Sequence, residues 1–279
     1  MNPVRILISI LVGLMLVLPQ SADAKRGQMG GKMGGGAASK TNPMRPDASR
    51  DIQEKAGLFN TGLKPVYPAT AKCLEVKSLF GDTTRYDGSS RVEWANSGYH
   101  NGFDISADEG TPIVAIAAGE VVHKFTGGRL VGHQIILRHA PADTGLPVWI
   151  FTKYKHFDEL PALEVGARVE MGQVLGPSGN TGTVGGHFGA WGYPHLHMSV
   201  YVNDTGEYRS IRRSAIPKDV RFLDPFAVYL KGPPKPFDNH AVKALSDDAK
   251  VVRIPYKRTD GKVVPQGTKL VWPFMCAPR

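Results

Sequence analysis

Residues 194–202 read Pro194-His195-Leu196-His197-Met198-Ser199-Val200-Tyr201-Val202. Apolar side chains recur at Leu196, Met198, Val200 and Val202, two apart, which is the period of a β-strand with one buried face. His195 and His197 then share the opposite face. Two imidazoles about 6.5 Å apart along a strand suit one metal ligand beside one neighbour that works on a water molecule. A hydrolytic site needs that division of labour.

Two further histidine patterns lie upstream. In Tyr99-His100-Asn101-Gly102-Phe103-Asp104 an extended backbone puts His100, Gly102 and Asp104 on one face, and the intervening glycine leaves room for an imidazole and a carboxylate to reach one small cation. Residues 148–157 (Val148-Trp149-Ile150-Phe151-Thr152-Lys153-Tyr154-Lys155-His156-Phe157) also read as a strand. Alternation there points Tyr154 and His156 the same way as Val148 and Ile150, and His156 sits at the strand's end, where a polar side chain reaches a cleft rim.

Around these patterns the chain is β-rich. Apolar alternation broken by glycine runs from about Leu58 to Val202, and helical patterns are short: residues 158–163, 225–230 and 239–250. Residues 250–256 and 262–272 read as two strands joined at Thr259-Asp260-Gly261, with Pro255 and Pro265 confining them to edges. The expectation is an all-β fold, an antiparallel sheet or β-sandwich core with few short helices and a small C-terminal extension. The 279 residues are 42% hydrophobic and 21% charged, which excludes disordered and collagen-like classes and requires a hydrophobic core.

Net charge is +9, but its placement argues against a nucleic-acid partner. Residues 25–50 carry six bases against Asp47, and residues 231–279 carry ten bases against four acids, so the middle of the chain is nearly neutral. No basic groove interleaved with aromatics is visible there.

Arg5 precedes an apolar run over residues 6–18, and Ala22-Asp23-Ala24 follows Pro19, the tripartite pattern of a cleavable export signal. The run is too short to span a bilayer, and no later segment is long enough for a membrane helix. The expected organisation is therefore a signal peptide at 1–24, a flexible Gly/Met/basic leader at 25–57, a folded domain at 58–230 and a basic C-terminal extension at 231–279, the mature product being periplasmic or secreted. Export permits a disulfide between Cys73 and Cys276. Closing so long a loop contributes on the order of 4 to 5 kcal/mol in the chain-entropy model.

Taken together, the three histidine patterns and their flanks resemble the lysostaphin-like M23 metallopeptidase family over about residues 78–230. His100-x-Gly102-x-Asp104, Tyr154-Lys155-His156 and His195-Leu196-His197 are similar to its successive motifs. The scaffold segments Gly110-Thr111-Pro112-Ile113-Val114-Ala115, Gly166 to Gly176, Gly179-Asn180-Thr181-Gly182 and Asp224-Pro225 are similar to it as well. The resemblance implies an M23 peptidase core binding one Zn2+ per chain through His100, Asp104 and His197, with His156 and His195 as the unliganded catalytic pair. It also implies hydrolysis of peptide crosslinks in peptidoglycan. The alternatives are a non-catalytic M23-like protein that binds the wall or activates an amidase, or a secreted peptidase acting on proteins. Two departures from the family pattern stand out. Residues 183–194 form an insert carrying His187, Phe188, Trp191 and Tyr193, read as a substrate-binding lip, a mobile cover or a plain loop. Met198-Ser199 replaces a frequent phenylalanine and glutamate, which touches the support of His197.

Overall fold

The computed structural model describes residues 41–93, 95–128, 131–183 and 193–279. The signal segment, the leader up to residue 40, and His187, Phe188 and Trp191 of the insert lie outside the described residues.

The centre is an antiparallel sheet of eight strands: β1 (Val76–Ser78), β2 (Phe103–Ser106), β3 (Gly119–Thr126), β4 (His133–His139), β5 (Trp149–Phe157), β6 (Arg168–Val169), β7 (His195–Asn203) and β8 (Arg221–Leu223). They lie in the order β1-β2-β7-β5-β4-β3-β6, and β8 pairs with β7 beyond the stretch that β2 covers. The long strands are rich in β-branched and aromatic residues, which pack well on a pleated surface. The fold is mostly β with few short helices, as the alternation predicts.

Register follows from burial. Leu196, Met198, Val200 and Val202 of β7 join Phe103, Ile105, Ile135, Leu137, Ile150 and Tyr154 in the main hydrophobic cluster. Shifting β7 by one residue would push two imidazoles into that cluster, so the register is strongly specified. The other face carries the imidazoles at one end and, further along, a second cluster of Val122, Ile136, Phe151, Tyr201 and Phe222. One straight row of paired residues, Asp104, His197, Lys155 and Gln134, crosses four strands on that face.

The C-terminal segment is part of the main core. Val252, Ile254, Tyr256, Leu270, Trp272, Phe274 and Cys276 are all buried in it. Trp272 is fully buried, stacks on Phe226 with ring centroids 5.9 Å apart, and donates its indole N–H to Leu74 O at 2.9 Å. Strand Val251–Arg253 pairs in parallel with Lys64–Val66. The hairpin expected around residues 259–261 forms, but only Tyr256–Lys257 and Val263–Val264 are paired.

The Cys73–Cys276 disulfide closes a 203-residue separation and fastens this segment to the chain just before the sheet. Replacing both cysteines by serine is expected to lower stability by about 4 to 5 kcal/mol. Urea unfolding read by fluorescence checks this, and an unchanged midpoint would show that packing around Trp272 holds the segment alone.

Two sequence expectations fail for identifiable reasons. Residues 158–163 form no helix, because Pro161 pushes Leu160 towards an extended backbone, and the Asp158 N–H donates to Pro177 O instead. The flexible leader expected at 25–57 is shorter in the structure, where residues 41–57 are ordered and include the helix Arg50–Lys55. Burial of Ala48 and Gln53 and the bond from Phe222 N–H to Ala56 O tie this stretch to the sheet. The helical patterns at 225–230 and 239–250 survive as the 3-10 turn Pro225–Tyr229 and the helix Asn239–Lys243. The first is capped by Asp224, whose carboxylate accepts from Phe226 N–H and from the Thr61 hydroxyl.

Candidate metal centre and catalytic cleft

Adjacent strands bring the first and last histidine patterns together. His197 on β7 lies directly opposite Asp104 on β2, and His100 reaches them from the turn before β2. Gly102 makes the approach possible: a Cβ there would stand 2.4 Å from Met198 O and 2.9 Å from His197 Nε2.

The ring nitrogens are sorted by their outer partners. His100 Nδ1 lies 2.9 Å from Leu79 O, which can only accept, so Nδ1 carries the proton and Nε2 turns inward as a lone pair. His197 Nε2 lies 3.0 Å from Ser199 Oγ, and a proton held there leaves Nδ1 as a lone pair. Those two nitrogens are 3.1 Å apart, and they lie 3.1 and 2.8 Å from Asp104 Oδ1. In that tautomer of His197, three lone pairs face one another with no proton among them.

Such a set is repulsive unless a cation sits between its members. Its spacing approaches the edge of a tetrahedron with metal bonds of about 2.0 to 2.1 Å, roughly 3.3 Å. Two imidazoles and a carboxylate therefore fit one divalent ion and leave a coordination position for a small molecule. All three residues are buried. Burial pushes His197 down to about 3, so it is a neutral imidazole at any physiological pH.

Ser199 fills the outer position where the sequence left the support of His197 in doubt. Ser199→Ala is expected to weaken metal affinity by about 10- to 100-fold. Competition with a fluorescent zinc chelator checks this, and unaltered affinity would mean the hydroxyl is only packing.

The middle histidine arrives by a route that alternation does not predict. Regular pleating would send His156 into the core with Tyr154, whose hydroxyl accepts from Ile116 N–H at 3.0 Å. Instead the β4 and β5 register shifts between Gln134 opposite Lys155 and His133 opposite Phe157, leaving His156 as an extra residue with φ 69°. This bulge turns the ring to the β7 imidazoles, with its centroid 4.8 Å from that of His195 and 6.0 Å from that of His197. Histidine is among the residues that tolerate positive φ better than most.

His156 and His195 are held alike. His156 Nδ1 donates to Thr181 O at 2.7 Å, and His195 Nδ1 donates to Tyr193 O at 2.6 Å. Each Nε2 therefore presents a lone pair, and that of His195 lies 3.7 Å from Asp104 Oδ1. Burial lowers both rings, His156 well below its ordinary value. The Tyr193 ring also stacks on His195 with centroids 4.5 Å apart.

These five residues line a cleft of about 210 Å³ together with residues the sequence reading did not single out, among them Arg85, Tyr86, Arg91, Tyr99 and Lys155. Arg85, Tyr86 and Arg91 come from the loop between β1 and β2, which has no motif and reaches the site only through the fold. A larger surface depression of about 850 Å³, lined by Arg138, Glu207, Tyr208 and Lys218 among others, shares none of these residues.

An antiparallel sheet that gathers a His/Asp group able to hold a metal and two further imidazoles in one cleft suits a metal-dependent hydrolase. Residues 98–208 match the model of peptidase family M23, and the chain belongs to that family. It is 31% identical over 130 residues to an uncharacterized metalloprotease of Haemophilus influenzae, covering 46% of this chain and 23% of that protein. It is also 31% identical over 107 residues to the peptidoglycan DD-endopeptidase ShyA of Vibrio cholerae, covering 37% of this chain and 20% of ShyA. The catalytic domain of lysostaphin from Staphylococcus simulans shares 30% identity, with 44% of this chain and 77% of that domain covered and a TM-score of 0.32. The matched part spans about a fifth to a quarter of the length of the two curated relatives.

Proposed function

We propose that the protein is an exported zinc endopeptidase that hydrolyses peptide bonds in peptidoglycan crosslinks. The observation that carries this is the group of three converging lone pairs on His100 Nε2, Asp104 Oδ1 and His197 Nδ1, with two more imidazoles presenting Nε2 beside them. A divalent ion held by those three atoms supplies a Lewis acid that polarises a carbonyl and acidifies water.

The other steps belong to the chain's own side chains. Because Nδ1 of His156 and of His195 donates to a backbone carbonyl, either ring can take a proton from the attacking water at Nε2 and return it to the leaving amine nitrogen. The ring that has taken a proton becomes a donor, and its partner 4.8 Å away remains available to the substrate. Burial keeps both imidazoles neutral at the start of the cycle, which is the form a general base requires.

Peptidoglycan as substrate draws support from the DD-endopeptidase named among the relatives. Export draws support from the signal-like run after Arg5 and from a disulfide that suits an oxidising compartment. Among the described residues no helix is long and apolar enough to cross a membrane. A non-catalytic wall-binding role would leave the converging lone pairs and the paired imidazoles without use.

Protein beginning at Lys25 should release smaller muropeptides from purified peptidoglycan with zinc and none with chelator, as read by mass spectrometry. Identical muropeptide profiles in the two conditions would refute the proposal.

A further inference from the structure

We propose that Arg91, with Arg85 beside it on the loop between β1 and β2, binds a carboxylate of the substrate in the cleft, so that the enzyme selects acidic peptides. This rests on reading the cleft as a peptidase site.

The first observation is the charge of the lining. Among its described residues Arg85, Arg91 and Lys155 are cationic, and Asp104 is the sole acid. Asp104 is also the residue placed to hold a metal ion, which would add positive charge. A peptide bond is neutral, so the excess has to be met by something the substrate brings.

The second is the state of Arg91 itself. Its side chain is only 17% exposed, yet its hydrogen bonds go to neutral oxygens, from Nη2 to Ser78 Oγ at 2.6 Å and from Nε to Thr84 O at 3.2 Å. Asp104 Oδ2 stands at 3.8 Å, beyond hydrogen-bond distance. Nη1 has no hydrogen-bond partner among the described residues. A nearly buried guanidinium whose ion pair with Asp104 is too long for a hydrogen bond still has donors to give, and its fork matches a carboxylate in two parallel bonds.

The third is the way the loop presents the pair. Thr84 and Ser90 form an antiparallel bridge, and the Arg91 N–H donates to Thr83 O at 2.9 Å, so Arg85 and Arg91 flank one tight hairpin. Arg85 is tied to the hairpin through Ser89 Oγ and Ser90 O. Two like charges held on one small hairpin beside a cleft repel each other until an anion lies between them.

The carboxylate could be the end of a peptide chain or a side chain within it, and two peptide pairs separate the sources. The first pair is acetyl-tetraglycine as free acid and as amide; the second is acetyl-Gly-Glu-Gly-amide and acetyl-Gly-Gln-Gly-amide. Their affinities for the full chain, stripped of metal by chelator, are measured by calorimetry at low salt.

In at least one pair the acid is expected to bind about ten-fold tighter or more, the usual yield of a charged hydrogen-bonded contact, and that pair identifies the source. In Arg91→Gln the preference should shrink to about two-fold or less, whereas a role confined to orienting Asp104 would leave it unaltered. If Arg91→Gln does not fold, as judged by circular dichroism, the half-buried Arg85→Gln is the deciding variant and should reduce the preference. No preference in either pair, or one that survives the deciding variant, overturns the proposal. Because binding is read without metal or turnover, a protein that fails as a peptidase but still prefers the acid leaves this inference standing.

Discussion

Asp104→Ala is expected to lose both its metal and its hydrolysis of peptidoglycan. The carboxylate is one of three donors proposed for the metal, and its Oδ1 lies within 3.1 Å of both of the others. Removing it leaves two imidazoles, of which His197 is pushed down to about 3 by burial, and no negative charge to offset a divalent ion. The loss of activity should exceed the roughly 10- to 100-fold cost of deleting an outer partner such as Ser199. Elemental analysis after dialysis, with turnover on the same sample, checks both halves. A variant that keeps one zinc per chain and hydrolyses wall at the wild-type rate would remove Asp104 from the ligand set.

His195→Ala should separate the two properties. Its ring belongs to the pair whose Nδ1 atoms are pinned on backbone carbonyls, so the variant should retain metal while kcat falls by about 10²- to 10⁴-fold, the usual worth of a positioned general acid or base. KM should change little, because the ring acts on the proton in flight rather than on bound substrate. If zinc content falls as it does in Asp104→Ala, the division between His195 and His197 is wrong.

That division was only half legible in the sequence. Period-two alternation places both β7 imidazoles on one face, and it predicts correctly that Leu196, Met198, Val200 and Val202 face the core. It cannot say which ring nitrogen turns inward, since that depends on the contacts of the outer nitrogens with Ser199 Oγ and the Tyr193 carbonyl. The same alternation misplaces His156, because a bulge at positive φ leaves no mark on apolar spacing.

Composition misled in a different way at the two ends. The glycine-rich stretch that argues for a flexible leader stops near Gly36, and residues 41–57 are held by the Phe222 N–H on Ala56 O, by Gln53 on Arg45 O and by packing of Met44 and Ala56 on the second cluster, none of which leaves a periodic pattern in the sequence. The basic tail reads as an appendage by its charge, yet its apolar minority, with Trp272 foremost, completes the main core. Arg85 and Arg91 were invisible for a third reason: their loop carries no spacing rule, and only pairing of β1 with β2 brings it over the site.

X-ray absorption at the zinc edge of the zinc-loaded, full-length protein tests the central claim most directly. A first coordination sphere of two imidazole nitrogens and light oxygen donors, with no sulfur and one position exchangeable with solvent, is the expected result. A spectrum showing sulfur, four protein donors with nothing exchangeable, or no bound zinc under replete conditions would contradict the account.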